Sequence, residues 1–341
     1  MSQNNVWGAD TQFFYSLTPD VIDRAIAMVG LKARGRVMAL NSLENRVYEV
    51  EIENYQRPDG PYSSDTVVIK FYRPGRWSRE CIQEEHNYLL ELNEFEIPVT
   101  APLEFDEQTL FVENESKLSF AIFPKVVGRL KDELKKDEIE QIGRLIGRIH
   151  NIGDNKIFKY RPTLNVENYL DAHLKTIEQA NFLPASKNNY LTLATQLSQL
   201  IKPQLANLKL TRIHGDVHRG NVLWTNFGPW MVDFDDCVMG PKQQDLWLLL
   251  PGRDEYSLNE RTTLLESYQS MAREPVILKQ HLVEALRAIR MIHFNGWITK
   301  RYEDPTFVKM YPHFTSENYW DVAIQDVREQ LSLVMDYEQY Q

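Results

Sequence analysis

Cysteine is nearly absent from the 341-residue sequence: Cys81 and Cys237 stand far apart, with no second pair to build a disulfide framework or a zinc site. That scarcity suits a reducing compartment, and the cytoplasm is the expected location. No run of about 18 apolar residues occurs, so no membrane-spanning helix is expected, and residues 1–10 lack the basic-then-apolar order of a secretory signal. Positive charge is in deficit, since 38 Lys and Arg against 48 Asp and Glu leave a formal charge of −10. Long-range repulsion then disfavours nucleic acid and anionic membrane as partners, and a phosphate ligand has to be held by local groups or metal. No internal repeat or low-complexity tract is present. What remains, 43% hydrophobic and 25% charged residues, is an ordinary globular composition able to bury a sizeable core. The length fits one bilobed enzyme.

From 37 to 122 the chain reads as strands punctuated by turns. Residues 46–52 and 66–72 alternate and are rich in β-branched side chains, and Pro58, Asp59, Gly60 and Pro61 between them favour a turn, which predicts an antiparallel hairpin. Ser78 offers an N-cap to a helix over 79–92. Two strand-like runs, 108–112 and 118–123, end at Pro124, which cannot donate a hydrogen bond to a continuing central strand. The expected division is an N-terminal nucleotide-binding lobe of residues 1–123, a hinge over 124–128, and a C-terminal lobe of residues 129–341. In that last part Ile139, Ile142, Leu145, Ile146 and Ile149 form one helical face. Residues 166–180, 190–208, 260–272, 281–301 and 318–337 are also helix-compatible. The class is therefore α+β, an antiparallel sheet with one main helix followed by a largely helical half.

The densest chemistry lies in His214-Gly215-Asp216-Val217-His218-Arg219-Gly220-Asn221, followed by Asp233-Phe234-Asp235-Asp236. A polar loop leads into a short apolar strand, a turn over 225–228, and a second strand ending on a carboxylate. Phosphoryl transfer from ATP needs a carboxylate that positions the attacking hydroxyl and oxygen ligands that hold Mg²⁺ against the phosphates. Asp216 fits the first role, Asn221 and Asp233 the second, with Asp233 acting also at the transferred group. Protein kinases place their catalytic Asp five residues before a metal-binding Asn, as here. Two readings compete: a chance collection of turn-favouring residues, and a hydrolytic metal site in which His214, Asp216 and His218 alternate along an extended segment. The second gives Asn221 no necessary role, and the coincidence of spacing, hairpin and second acidic cluster favours phosphoryl transfer over both. Asp235 and Asp236 either tune the second metal position or cap the following turn.

The pattern His-Gly-Asp-x-His-x-x-Asn followed by Asp-Phe-Asp-Asp resembles the aminoglycoside phosphotransferase and choline kinase branch of the protein-kinase-like bilobed fold. Gly215 stands where protein kinases carry an Arg that pairs with a phosphorylated activation loop, so control by loop phosphorylation is not expected. Lys70 resembles the strand Lys that binds the α- and β-phosphates. Of two acidic residues on the following helix, Glu85 is assigned as its ion-pair partner, with Glu84 as competitor and ordinary solvated helix charge as the alternative for either. The glycine-rich loop of protein kinases is missing. In its place residues 40–48 join two strands, and the resemblance points to Ser42 and Asn45 as phosphate-covering residues, although a polar hairpin turn accounts for the same side chains. Residues 123–127 look like the hinge that receives adenine. Gly143 and Gly147 would permit close helix packing, and His150 is read as a core histidine. Asp245 either braces the catalytic loop, as its match to the family implies, or is a helix N-terminal carboxylate.

Residues 40–48, 70–77, Glu84-Glu85-His86 and 244–249 together look like the bacterial stress response kinase A family, over nearly the whole chain. What that resemblance implies is a cytoplasmic, monomeric serine/threonine protein kinase that uses ATP and Mg²⁺ and protects stressed cells from death programmes. A small-molecule hydroxyl kinase of the aminoglycoside, choline or homoserine kinase type would share every catalytic residue named, because fold does not fix the acceptor.

Overall fold

The computed structural model describes residue 14 and residues 16–338; the remaining residues of the expected lobes lie outside the described residues. Helix α1 (Pro19–Met28) leads into β1 (Ala33–Ala39), β2 (Arg46–Ile52) and β3 (Tyr62–Phe71). The hairpin expected from alternation is present as the β2–β3 pair, antiparallel, with Val47 opposite Lys70 and Val50 opposite Val67. Period-two alternation sorts β3 by face. Val67, Ile69 and Phe71 join Val50, Ile52, Phe120, Ile122 and the inner side of α1 in one core, which leaves Lys70 on the opposite face.

Ser78 caps α2 (Arg79–Glu94) by accepting from the Cys81 N–H at 3.3 Å, as its position before the helix foretold. Strands β4 (Phe111–Val112) and β5 (Ser119–Val126) complete a sheet ordered β1-β2-β3-β5-β4. Here one expectation needs correction, because β5 runs through Pro124 to Val126 instead of ending there. The strand β4 pairs only with Phe120 and Ser119, so no neighbouring strand on that side requires a donor from Pro124, which sits opposite Val67 of β3. Strand β1 also starts earlier than expected from the sequence.

The helical half opens with α3 (Lys136–Gly153), whose isoleucines are buried on one face. After a π-helical turn (Glu167–Asp171) come α4 (Ala172–Gln179), α5 (Lys187–Leu205) and β6 (Leu210–Ile213), then the hairpin β7 (Val222–Thr225) and β8 (Gly228–Met231), and β9 (Val238–Pro241) paired with β6. Helices α6 (Gln243–Leu248), α7 (Glu255–Gln269), α8 (Gln280–Arg301), α9 (Pro305–Met310) and α10 (Glu317–Glu338) follow. The helix expected over 260–272 starts five residues sooner, because Asp254 accepts from the Ser257 N–H and caps it. Helix α3 lies directly on α7, and a Cβ at Gly143 would fall 2.1 Å from Ser267 Oγ, so the two glycines do set this approach. Among the described residues no helix is long and apolar enough to cross a membrane.

Candidate active site

The loop after β6 owes its shape to one buried carboxylate. Asp245, in α6, accepts from the His214 N–H at 2.9 Å and from the Gly215 N–H at 2.8 Å, and lies 3.0 Å from His150 Nε2. His150 is held from its other side by the Tyr268 hydroxyl at 3.1 Å. Of the two readings of Asp245, the loop brace describes its contacts, and His150 is a packed histidine in its support. Gly215 has φ +85°, and a Cβ there would meet the Asp236 carbonyl oxygen at 2.3 Å, so the loop turns toward the acidic segment only with glycine at this point.

His214 is fully used. Its Nε2 donates to the Val232 carbonyl at 3.0 Å and its Nδ1 accepts from the Asp216 N–H at 3.3 Å, while its ring packs on Phe234. His218 Nδ1 accepts from Gly220 N–H at 3.0 Å. With both nitrogens of His214 committed to the backbone, the three-ligand hydrolytic site loses a ligand, and among the described residues no cluster of three His, Cys, Asp or Glu side chains suits a metal.

Asp216 lines a pocket walled by residues of α8 and of the loops after β6 and β8. Its Oδ1 accepts from Arg290 Nη1 on α8 at 2.6 Å, and its Oδ2 lies 3.5 Å from His218 Nε2. Burial alone would raise its pKa, but the hydrogen bond from His218 and the Arg290 charge outweigh it and hold the carboxyl well below the usual range. Asn221 Nδ2 donates to the Asp216 carbonyl at 3.0 Å, which turns its Oδ1, a hard oxygen donor, away from that bond. The hairpin then returns the chain: Val232 N–H donates to the Asn221 carbonyl at 3.0 Å, and Asp233 follows in a left-handed conformation, φ 62°. Its side chain is 58% exposed, with Lys70 Nζ at 3.8 Å. Two oxygen donors at adjacent ends of one hairpin, one of them an exposed carboxylate, form a donor set that fits a hard divalent cation such as Mg²⁺.

Lys70 meets this loop from the sheet. Its Nζ is 3.1 Å from Glu85 Oε1 and 3.0 Å from Asp235 Oδ1. Burial would lower its pKa, but Asp235 and Glu85 together keep it raised and the lysine charged. Glu84, the competing partner, lies elsewhere, accepting the N–H groups of Lys159, Tyr160 and Arg161 at 2.6, 3.0 and 2.9 Å. Asp235 and Asp236 do more than cap a turn, since both bind the Arg76 guanidinium. Burial, with the charges of Asp235, Asp216 and Asp233, pushes Asp236 up to about 6 despite Arg76. Ser42 and Asn45 lie in the β1–β2 loop, and Asn45 Oδ1 accepts from the Arg73 N–H at 3.0 Å, so that its side chain holds the loop to the segment after β3.

Three arginines of the site are assigned no role from the sequence, although Arg76 lies in the run 70–77 that carries the resemblance. Arg161 donates to Glu85 Oε2 at 2.9 Å and to the carbonyls of Asp235 and Cys237 at 2.6 and 3.0 Å. Arg76 and Arg290 hold the carboxylates described above. Each comes from a segment distant in sequence from the carboxylate it holds, and no local spacing marks Arg161 or Arg290. Beside Asp216 opens a small pocket lined by Tyr169, Gln244, Ile289, Arg290 and His293, among others.

Comparison with known proteins gives the family of the chain. The family described as "Phosphotransferase enzyme family" matches residues 37–278. Stress response kinase A of Escherichia coli (strain K12) is 37% identical over 311 residues, 90% of either chain. The serine/threonine protein kinase RdoA of Salmonella typhimurium (strain LT2) is 37% identical over 309 residues, again 90% of either chain. Among solved structures, amicoumacin kinase hAmiN in complex with AMP-PNP, Ca²⁺ and Ami superposes with TM-score 0.66 at 18% identity, covering 88% of this chain and 95% of that one. The choline kinase LicA from Streptococcus pneumoniae gives 0.61 at 15% identity, covering 92% and 98%.

Proposed function

Because the chain belongs to the phosphotransferase enzyme family, with the stress response kinases A, and is a kinase, we propose that it transfers the γ-phosphoryl group of ATP to a serine or threonine hydroxyl of a protein. The observation that carries this reading is the meeting of two segments across one cleft. Lys70, held by Glu85, faces Asp233 at 3.8 Å, while Asp216 and Asn221 stand in the loop that the β7–β8 hairpin returns to Asp233. The serine/threonine specificity and the role in stress response and survival are supported by the names of the relatives.

In this mechanism Asn221 and Asp233 would hold Mg²⁺, which when bound would neutralise phosphate charge. Lys70 binds the α- and β-phosphates, and Ser42 with the backbone of the β1–β2 loop covers them. The adenine lies against residues 124–128, between an N-terminal lobe ending at 123 and a C-terminal lobe beginning at 129. Asp216, kept ionised by His218 and Arg290, accepts the acceptor hydroxyl as a hydrogen-bond donor and aligns it. A weakly basic carboxylate suffices for a loose transition state, in which the proton leaves late. The enzyme acts as a cytoplasmic monomer.

A second reading has its own observation: the solved structures that share this fold include an amicoumacin kinase and a choline kinase, so a small hydroxylated molecule is the competing acceptor. Incubation with γ-labelled ATP, Mg²⁺ and a lysate separated by size decides between them. Label on protein serine or threonine is expected. Label confined to the small-molecule fraction would overturn the protein-kinase reading and leave the phosphotransferase intact.

A further inference from the structure

The loop between β1 and β2, residues 40–45, contains no glycine, so it lacks the backbone freedom with which a glycine-rich loop adapts to phosphates. It is fastened from the helical half instead. Glu44 lies at the centre, its side chain 13% exposed. Trp297 Nε1 donates to its Oε2 at 2.6 Å, and Arg301 Nε and Nη2 donate to its Oε1 at 3.0 and 2.9 Å. Arg73 Nε stands 3.2 Å from the same Oε1 and donates to the Glu44 carbonyl at 2.8 Å. Burial would raise the Glu44 pKa, but Arg301, Arg76 and Arg73 outweigh it and hold it at about 2.

The fastening extends to both sides of Glu44. Arg73 Nη2 bridges the Leu43 carbonyl and Asp304 Oδ2, each at 3.0 Å. Arg46 Nη2 donates to Thr306 Oγ1 at 3.0 Å. Asp304 is the N-cap of α9, and Trp297 and Arg301 belong to α8. That same helix places Arg290 on Asp216 and His293 on the wall of the cleft beside it. Positions 290, 293, 297 and 301 are spaced by three and four and therefore share one helical face. One rigid face thus touches the catalytic carboxylate at one end and the loop opposite Lys70 at the other.

We propose that Glu44 is a positioning residue for the nucleotide phosphates: through it, α8 holds the glycine-free β1–β2 loop in its covering position. This rests on the kinase reading above. The loop gains from the clamp the order that it cannot obtain by adapting, since a phosphate-covering group displaced by an ångström loses much of its effect. A purely structural clamp would stabilise the fold equally whether or not phosphates are present.

The test separates these roles with two ligands. Calorimetric titration of wild type, Glu44→Gln and Trp297→Phe with Mg²⁺ and AMP-PNP, and separately with adenosine, reads the phosphate contribution. In Glu44→Gln the affinity for AMP-PNP is expected to fall on the order of tenfold, the scale of losing charge-assisted contacts, with adenosine affinity unchanged. Trp297→Phe, which keeps an aromatic ring of smaller size and loses the one donor, is expected to show the same pattern at smaller amplitude. Arg301→Lys should recover most of the affinity lost in Arg301→Leu. Equal weakening of both ligands, or wild-type AMP-PNP affinity in a folded Glu44→Gln, would overturn the positioning role. A folded wild type that binds no nucleotide would defeat the kinase reading as well, and that result is distinguishable because it appears before any substitution is made.

Discussion

Replacing Asp245 by Asn is expected to disable transfer from a position that touches no substrate. The carboxylate accepts two main-chain N–H groups, of His214 and Gly215, and abuts His150 Nε2, in a site only 1% exposed. An amide offers one oxygen, so at least one of the two N–H donors faces an NH₂ group and goes unsatisfied. A buried polar group left without a partner costs about 1–3 kcal/mol; truncation to Ala, which strands both donors and His150, costs about 3–5 kcal/mol by comparison with broken buried pairs. The displaced donors are the residues immediately before Asp216, the proposed base, so its carboxylate shifts with them. A misplacement on the order of 1 Å lowers turnover about 10²-fold. Urea denaturation gives the stability change and initial-rate phosphoryl transfer, measured where the variant is folded, gives the second. Wild-type turnover in an Asp245→Asn protein destabilised by the expected amount would refute the brace as a device of catalysis. Wild-type stability would refute the hydrogen-bond accounting itself.

Asp216→Asn is expected to lower transfer about 10²- to 10⁴-fold, the range for a positioned base, while nucleotide affinity measured by calorimetry stays within about threefold; an undiminished rate removes Asp216 from the mechanism. Gly215→Ala should abolish most activity although only a methyl is added, because φ +85° and the 2.3 Å approach to the Asp236 carbonyl both oppose it; transfer assays on the purified variant check this. His86 is fully buried between the Tyr72 hydroxyl and Thr109, at 2.7 and 2.8 Å, and burial together with the Lys70 and Arg161 charges lowers its pKa to about 3. The unfolded histidine binds a proton near 6.5 and the folded one does not, so its stabilisation is complete above 6.5 and is lost as pH falls toward 3. At about 1.4 kcal/mol per unit, wild type should lose about 2 kcal/mol more than His86→Gln between pH 7 and 5. Parallel urea midpoints for the two proteins at both pH values would refute it.

How much of this was legible depended on sequence distance. The residues from His214 to Asp245 lie within one short stretch, and their spacing exposed the hairpin, the oxygen donors and the loop. Lys70 and Glu85 were readable because a strand followed at once by a helix constrains which side chains meet, although the choice between Glu84 and Glu85 needed the structure. Arginines such as Arg161 and Arg290 left no trace, since an Arg in a loop or on a helix is ordinarily a surface residue and its partner lies dozens of residues away. Glu44 was hidden in the same way inside a loop that reads as a polar turn. Pro124 misled for a related reason: its effect on a strand depends on whether a neighbour needs its missing donor, which is a tertiary fact.

Those unannounced arginines bear on how the site is kept in order. Where an Arg of the catalytic loop must find a phosphate, the helix bearing the Lys-paired Glu is free to be moved by regulation. On the proposed reading Gly215 stands in that position, and the tie within this chain is internal: Arg161 joins Glu85 of α2 to the carbonyls of Asp235 and Cys237. Glu85 in turn orients Lys70, and Asp235 receives both Lys70 and Arg76. The chain of contacts from α2 to the segment after Asp233 closes on itself without any added group. Moving α2 outward would strand the Arg161 guanidinium and the Glu85 carboxylate in a buried site, a cost of several kcal/mol. On the proposed reading, the geometry that a phosphorylated loop has to induce elsewhere is therefore held by the folding energy of this chain.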